Sequence, residues 1–132
     1  MAIKILLVDD HPVNLRMLSF ALRKVGHDVV PVSDGETAMA ELQRARPDMI
    51  LLDLQMPRMS GYQLAQWIRQ QPTLQTLPIV AVTAYAMRGD EEKALAAGCN
   101  AYVTKPVDLM ALRALVVKMA AEVSADWSVD CE

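Results

Sequence analysis

Five short apolar runs, at residues 3–8, 28–32, 48–52, 78–82 and 101–104, alternate with longer segments of helical period. Nothing else in the chain constrains its fold as much. Runs of this length bounded by turn residues read as strands buried on both faces. Strands separated by helices form a parallel sheet with helices packed on each side. Residues 12–25 form the first expected helix, with Leu15, Leu18, Leu22 and Val25 on one face and Gly26 as its stop. Ser33 and Glu36 have the spacing of a capping box and open a second helix through Ala38, Leu42 and Ala45, ended by Pro47. Three more helices are expected at residues 60–70, 90–97 and 108–122, and the polar segment 123–132 reads as a frayed tail or linker. The predicted fold is α/β, a doubly wound five-stranded parallel sheet with five helices. Its crossovers are right-handed and its functional groups gather beyond the carboxyl ends of the strands.

The length of 132 residues suits one domain, and a 53% hydrophobic content is enough to fill an α/β core. No apolar run is long enough to cross a bilayer, and the first one ends in Asp9-Asp10, unlike a secretory leader. A cytoplasmic location without membrane contact is expected. Cys99 and Cys131 match no metal spacing, so reduced thiols are the default. A net charge of −3 without a basic block argues against nucleic-acid binding by this chain.

The chemistry lies at the strand ends. Asp9 and Asp10 close the first strand, Asp53 the third, Thr83 the fourth, and Lys105-Pro106 follows the fifth. Adjacent carboxylates at the end of a buried strand repel each other and lose hydration, and a third beside them calls for a cation. Magnesium takes carboxylate, carbonyl and water oxygens, with manganese as an alternative. Asp10 and Asp53 would bind it directly, Asp9 through water, and the Gln55 backbone carbonyl would add an oxygen. A carboxylate is also a competent nucleophile toward phosphorus. Lys105 and Thr83 would then supply a point charge and a hydroxyl to phosphoryl oxygens, and the N–H groups of Gln55 and Ala84 complete the cradle. Taken singly, each residue has a bland reading: a turn acid, a helix cap, a strand threonine, a solvated lysine. Jointly those readings require five coincidences at successive strand ends.

The motifs Leu7-Val8-Asp9-Asp10, Leu52-Asp53-Leu54-Gln55-Met56-Pro57, Thr83-Ala84 and Lys105-Pro106 resemble those of the receiver domain of two-component response regulators. The resemblance spans residues 1–122 and leaves 123–132 as the tail. It implies a flavodoxin-like sheet of order 2-1-3-4-5. It also implies that Asp53 takes a phosphoryl group from a histidine kinase or histidine phosphotransfer protein. Tyr102 matches the family's aromatic switch position, and a cis bond is implied between Lys105 and Pro106. Residues 83–90 look like those of receivers in hybrid kinases and in stand-alone or cyclase-linked regulators. Gln55 and Tyr85, each two residues past a site residue, are expected to flank the water that limits phosphoryl lifetime. The face made by the fourth helix, fifth strand and fifth helix is the expected output surface, for an effector domain or a homodimer. There Leu109, Leu112, Val116 and Met119 face the core, and Met110 and Val117 fall outside that period.

Two rival functions fail on particular residues. A phosphatase of the haloacid dehalogenase class needs an acid two residues after its nucleophile, where this chain has Gln55. A flavin carrier needs a hydroxyl- and glycine-rich first loop, and Asp9-Asp10-His11-Pro12 would repel the flavin phosphate. Of the remaining singular residues, His11 reads as an ordinary loop histidine and not a phosphodonor. His27 reads as a solvated turn residue, Trp67 as packing partly on the sheet, and Trp127 as a tail residue. The nine methionines read as core and loop filler.

Overall fold

The computed structural model describes residues 2–84 and 89–130, with the backbone alone at residue 90 and residues 122–130. Five strands and five helices alternate along the chain: β1 (Lys4–Val8), α1 (Pro12–Lys24), β2 (Asp28–Val32), α2 (Gly35–Arg44), β3 (Met49–Asp53), α3 (Gly61–Gln70), β4 (Ile79–Thr83), α4 (Asp90–Ala96), β5 (Ala101–Thr104) and α5 (Leu109–Asp130). The strands form one sheet, parallel throughout, in the order β2-β1-β3-β4-β5. This is the flavodoxin-like doubly wound architecture that the sequence predicts.

Strand alternation divides the core into two layers. Leu6, Val8, Ile50, Leu52, Ile79 and Ala81 face α2, α3 and α4, where Leu42, Leu64, Ile68 and Ala94 cover them. Ile5, Leu7, Met49, Leu51 and Val80 face α1 and α5, against Leu18, Leu22, Leu112 and Val116. Each such Leu or Ile side chain contributes about 1.5–3 kcal/mol on burial. Trp67 packs partly buried on the first layer, as expected. Cys99 is a buried free thiol, pushed up to about 11 by desolvation and therefore inert.

Several expectations are corrected. The cap of α2 is not the Ser33–Glu36 box: Asp34 accepts the Thr37 backbone N–H at 2.7 Å and the Thr37 hydroxyl at 3.0 Å. A charged acceptor one residue later makes the stronger cap. β3 and β4 each extend one residue further than read, because Asp53 pairs with Val82 and Thr83 with Thr104. α5 continues past residue 122 to Asp130, through a stretch without glycine or proline. The backbone at Trp127 is thus helical. His27 is not a solvated turn residue. It is 5% exposed, and its Nδ1 accepts the Ile3 N–H at 3.2 Å.

Two loops are fixed by specific contacts. Arg69 of α3 donates to the Gly98 carbonyl at 3.0 and 2.8 Å, to the Leu74 and Gln75 carbonyls at 3.1 Å, and to Asn100 Oδ1 at 2.8 Å. Gly98 has φ +113°, and a Cβ there would meet Arg69 Cγ at 2.6 Å. At the other end of α3, the Ser60–Gln63 capping box starts the helix directly against the end of β3. A Cβ on Gly61 would collide with the Asp53 carbonyl oxygen and lie 2.7 Å from Leu54 Cα.

Backbone, unlike a flexible side chain, has no cheap way to move aside. Gly61→Ala should therefore destabilise the protein by roughly 1–3 kcal/mol and displace the chain around Asp53. Denaturant unfolding and backbone amide shifts of residues 53–56 would check this, with Gly35→Ala as a comparison whose Cβ would meet only the flexible Met59 side chain.

Candidate functional site

The carboxyl ends of β1, β3 and β4 bring Asp9, Asp53 and Thr83 to one place, and the residues just beyond β1 and β5 add Asp10 and Lys105. Backbone hydrogen bonds beyond the ladders hold them there: Asp9 N–H to the Val32 carbonyl at 3.2 Å, Leu54 N–H to Val82 at 3.0 Å, and Lys105 N–H to Thr83 at 2.7 Å. The Lys105–Pro106 peptide is cis, as implied. After Asp53 the chain reverses sharply. The Met59 N–H reaches the Pro57 carbonyl at 2.8 Å around Arg58, which has φ 68°. This is a γ-turn in its strained form.

Asp9, Asp53 and Thr83 are almost fully buried, at 2%, 2% and 1% exposure. Lys105 Nζ lies 3.2 Å from Asp9 Oδ2 and 3.5 Å from Asp53 Oδ2. Asp9 Oδ1 accepts the His11 backbone N–H at 2.9 Å, and Asp53 Oδ1 accepts that of Gln55 at 3.1 Å. Asp10 Oδ1 and Asp53 Oδ2 are buried and accept no hydrogen bond. Desolvation pushes the Asp53 carboxyl up to about 6. The Gln55 N–H opposes the rise, the Asp9 charge adds to it, Lys105 opposes it and Asp10 adds to it.

The arrangement suits a hard dication. Asp9, Asp10, His11 and Asp53 each offer one donor atom, all within 4.8 Å of one another. Two buried carboxylate oxygens without hydrogen bonds are the chemistry such an ion would satisfy. The structure brings Asp9, Asp10, Asp53, Gln55, Thr83 and Lys105 together, while Tyr85 lies outside the described residues. The Gln55 side chain is committed elsewhere than expected, since its Oε1 accepts the Thr83 hydroxyl at 2.5 Å. Tyr102 is half-buried on β5 against the first core layer. The ring of His11 also stands against the acids, which its adjacency to Asp10 could have signalled.

Residues 5–117 match the family model of the response regulator receiver domain, and the chain belongs to that family, which serves two-component signal transduction. The chain is similar to the polar-differentiation response regulator DivK of Brucella anthropi, 33% identical over 105 residues, covering 80% of this chain and 85% of the relative. The structure resembles a putative response regulator from Chloroflexus aurantiacus, at 31% identity and TM-score 0.87, over 92% of this chain and 99% of that one. It also resembles the receiver domain of the sensor histidine kinase PA1611 from Pseudomonas aeruginosa, at 37% identity and TM-score 0.84, over 92% and 99% of the two chains. That structure carries a magnesium ion coordinated in its active-site cleft. Among the described residues, no helix is long and apolar enough to cross a membrane.

The raised Asp53 value has a definite sign. Between 3.8 and about 6 the folded protein holds this proton more tightly than the unfolded chain does. The charged form therefore costs stability, increasingly as pH rises through 6. In metal-free protein, Asp53→Asn should raise unfolding stability at pH 7.5 by roughly 1–2 kcal/mol, after discounting for solvent screening. The gain should shrink at pH 4.5. Paired urea titrations at the two pH values measure it.

Proposed function

We propose that Asp53 accepts a phosphoryl group from a histidine kinase or histidine phosphotransfer protein, and that the modification changes what the domain binds. The observation that carries this reading is the buried Asp53 carboxylate at the end of β3, flanked by two further acids and by Lys105 at 3.5 Å. An Asp53 oxygen bonds to phosphorus as the donor's histidine nitrogen leaves. Magnesium, or manganese in its place, would be held by Asp9, Asp10, Asp53 and the Gln55 backbone carbonyl, and would neutralise charge on the incoming group. Lys105 then turns from the acids to a phosphoryl oxygen, and the Thr83 hydroxyl donates to another. Residues 1–122 form the receiver domain in this reading, with 123–132 as a C-terminal tail or linker that is helical as far as Asp130. The domain promotes its own phosphorylation and dephosphorylation and acts on no separate substrate. Its setting is the cytoplasm. Gln55 and Tyr85 tune the lifetime of the phosphoryl group by limiting the approach of water. Acetyl phosphate with magnesium should add one phosphoryl mass to the protein, and neither Asp53→Asn nor wild type in EDTA should gain it. Labelling of the mutant to the wild-type level would overturn the assignment.

Thr83 and Tyr102 form the switch. A phosphoryl oxygen competes with Gln55 Oε1 for the Thr83 hydroxyl, and movement of Thr83 opens space for the Tyr102 ring on the neighbouring strand. The surface that changes is the face of α4, β5 and α5. Exposed apolar side chains on these helices are Leu95 of α4, 47% exposed, and Met110 of α5, 78%, whereas Val117 lies on the other flank of α5, beside Val25 and Arg113. An effector domain or a second copy of the chain would dock there. Beryllofluoride with magnesium should shift amide resonances from Asp53 through Thr83 to Tyr102 and onto this face. Changes confined to the acid pocket would remove the proposed route.

A further inference from the structure

His11 is the N-cap of α1, yet its side chain makes no capping hydrogen bond. The ring turns to the acids instead. Its Nδ1 stands 3.1 Å from Asp10 Oδ1 and 3.4 Å from Asp9 Oδ1. Asp10 Oδ1 is buried and accepts no hydrogen bond, so the ring does not serve it as a donor. Those separations have another meaning. Two atoms bound side by side to one octahedral dication, each about 2.1 Å from it, lie ~3.0 Å apart. The imidazole nitrogen is already within a few tenths of an ångström of that spacing from each of the two carboxylate oxygens. The Asp53 carboxylate, whose Oδ2 is buried without a hydrogen bond, completes the set of donors within 4.8 Å of one another.

We propose that His11 Nδ1 is a direct ligand of the cation held by the acid cluster, which makes the site a carboxylate–imidazole centre favouring first-row transition dications over magnesium. This rests on the reading of Asp9, Asp10 and Asp53 as a cation site. An all-oxygen site suits magnesium, which keeps its waters and gains little from a nitrogen. Imidazole binds nickel and zinc more tightly than manganese, and all three better than magnesium. With 63% of its side chain exposed, His11 can adjust its ring to the ion without disturbing the core. The preference for the metal would then be set by one residue beside the acids, and the acids themselves need not change.

The test uses the tag-free, metal-stripped full chain at pH 7.5. Pulsed electron paramagnetic resonance of the manganese complex should show a directly coordinated nitrogen. The signal should vanish in His11→Gln and persist in His27→Gln. By calorimetry, His11→Gln should weaken manganese and nickel binding by about tenfold or more while leaving magnesium within about twofold. If manganese binds, and binds more weakly to Asp10→Asn, but no nitrogen signal is seen or His11→Gln changes no affinity, the His11 ligand is refuted and the acid site stands. If neither manganese nor magnesium binds wild type, both readings fall.

Discussion

Three carboxylates share one lysine at the carboxyl end of the sheet, and that imbalance organises much of the structure around it. Asp9 and Asp53 are 2% exposed and cannot relieve their repulsion through water. Lys105 reaches both, at 3.2 and 3.5 Å, and leaves negative charge in excess. A fold optimised only for stability would not gather these groups at adjacent strand ends. The sheet forces the encounter, because β1 lies between β2 and β3, and β3 between β1 and β4, in fixed parallel register. Ile50, Leu52 and the other fully buried strand residues supply the stability that lets the site remain strained. In the proposed function, a bound dication would offset that negative charge and a phosphoryl group on Asp53 would then add to it again.

The Thr83 hydroxyl is where the charge state can be read. It is buried and bonded to Gln55, so it can serve a new acceptor only by giving up an existing one. In the proposed switch, exchange between two acceptors would give two discrete arrangements. It also gives Gln55 two positions of influence, since its backbone N–H holds Asp53 and its side chain holds Thr83.

Much of this was legible in the chain. The five apolar runs marked the strands and their burial because parallel strands covered on both faces have no polar alternation to confuse the reading, whereas the strand order was implied by the resemblance to receiver domains. The acids, Thr83 and Lys105 were legible because each falls where a strand ends. What escaped was set by contacts distant in sequence or by competition between neighbours. His27 looks solvated beside Gly26, and only the Ile3 N–H, 24 residues away, shows why it is buried. Ser33 and Asp34 are both good caps, and only the geometry selects Asp34. The Gln55–Thr83 bond and the turn of His11 toward Asp10 depend on loop shapes that no periodicity encodes. The end of α5 escaped because a polar stretch without breakers continues a helix as readily as it frays.

The Arg69 guanidinium gives α4 unequal ends. It grips the Gly98 carbonyl and Asn100, just past the helix, while Asn100 is itself bonded to the edge of β4 through Ile79. Ala94 and Ala97 seal the same end against the core. The opposite end begins at Gly89, whose φ of +93° leaves no Cβ to obstruct it and which has no side chain with which to cap the helix. A short rod held this way would behave as a lever with its fulcrum at Gly98. A small displacement transmitted from the end of β4 would become a swing of the opposite end, where Lys93 lies over the Tyr62 ring at 4.6 Å. Leu95, one turn from the fulcrum, would move little, so the largest change in outline would come at the first turn of the helix, beside Asp90 and Glu91.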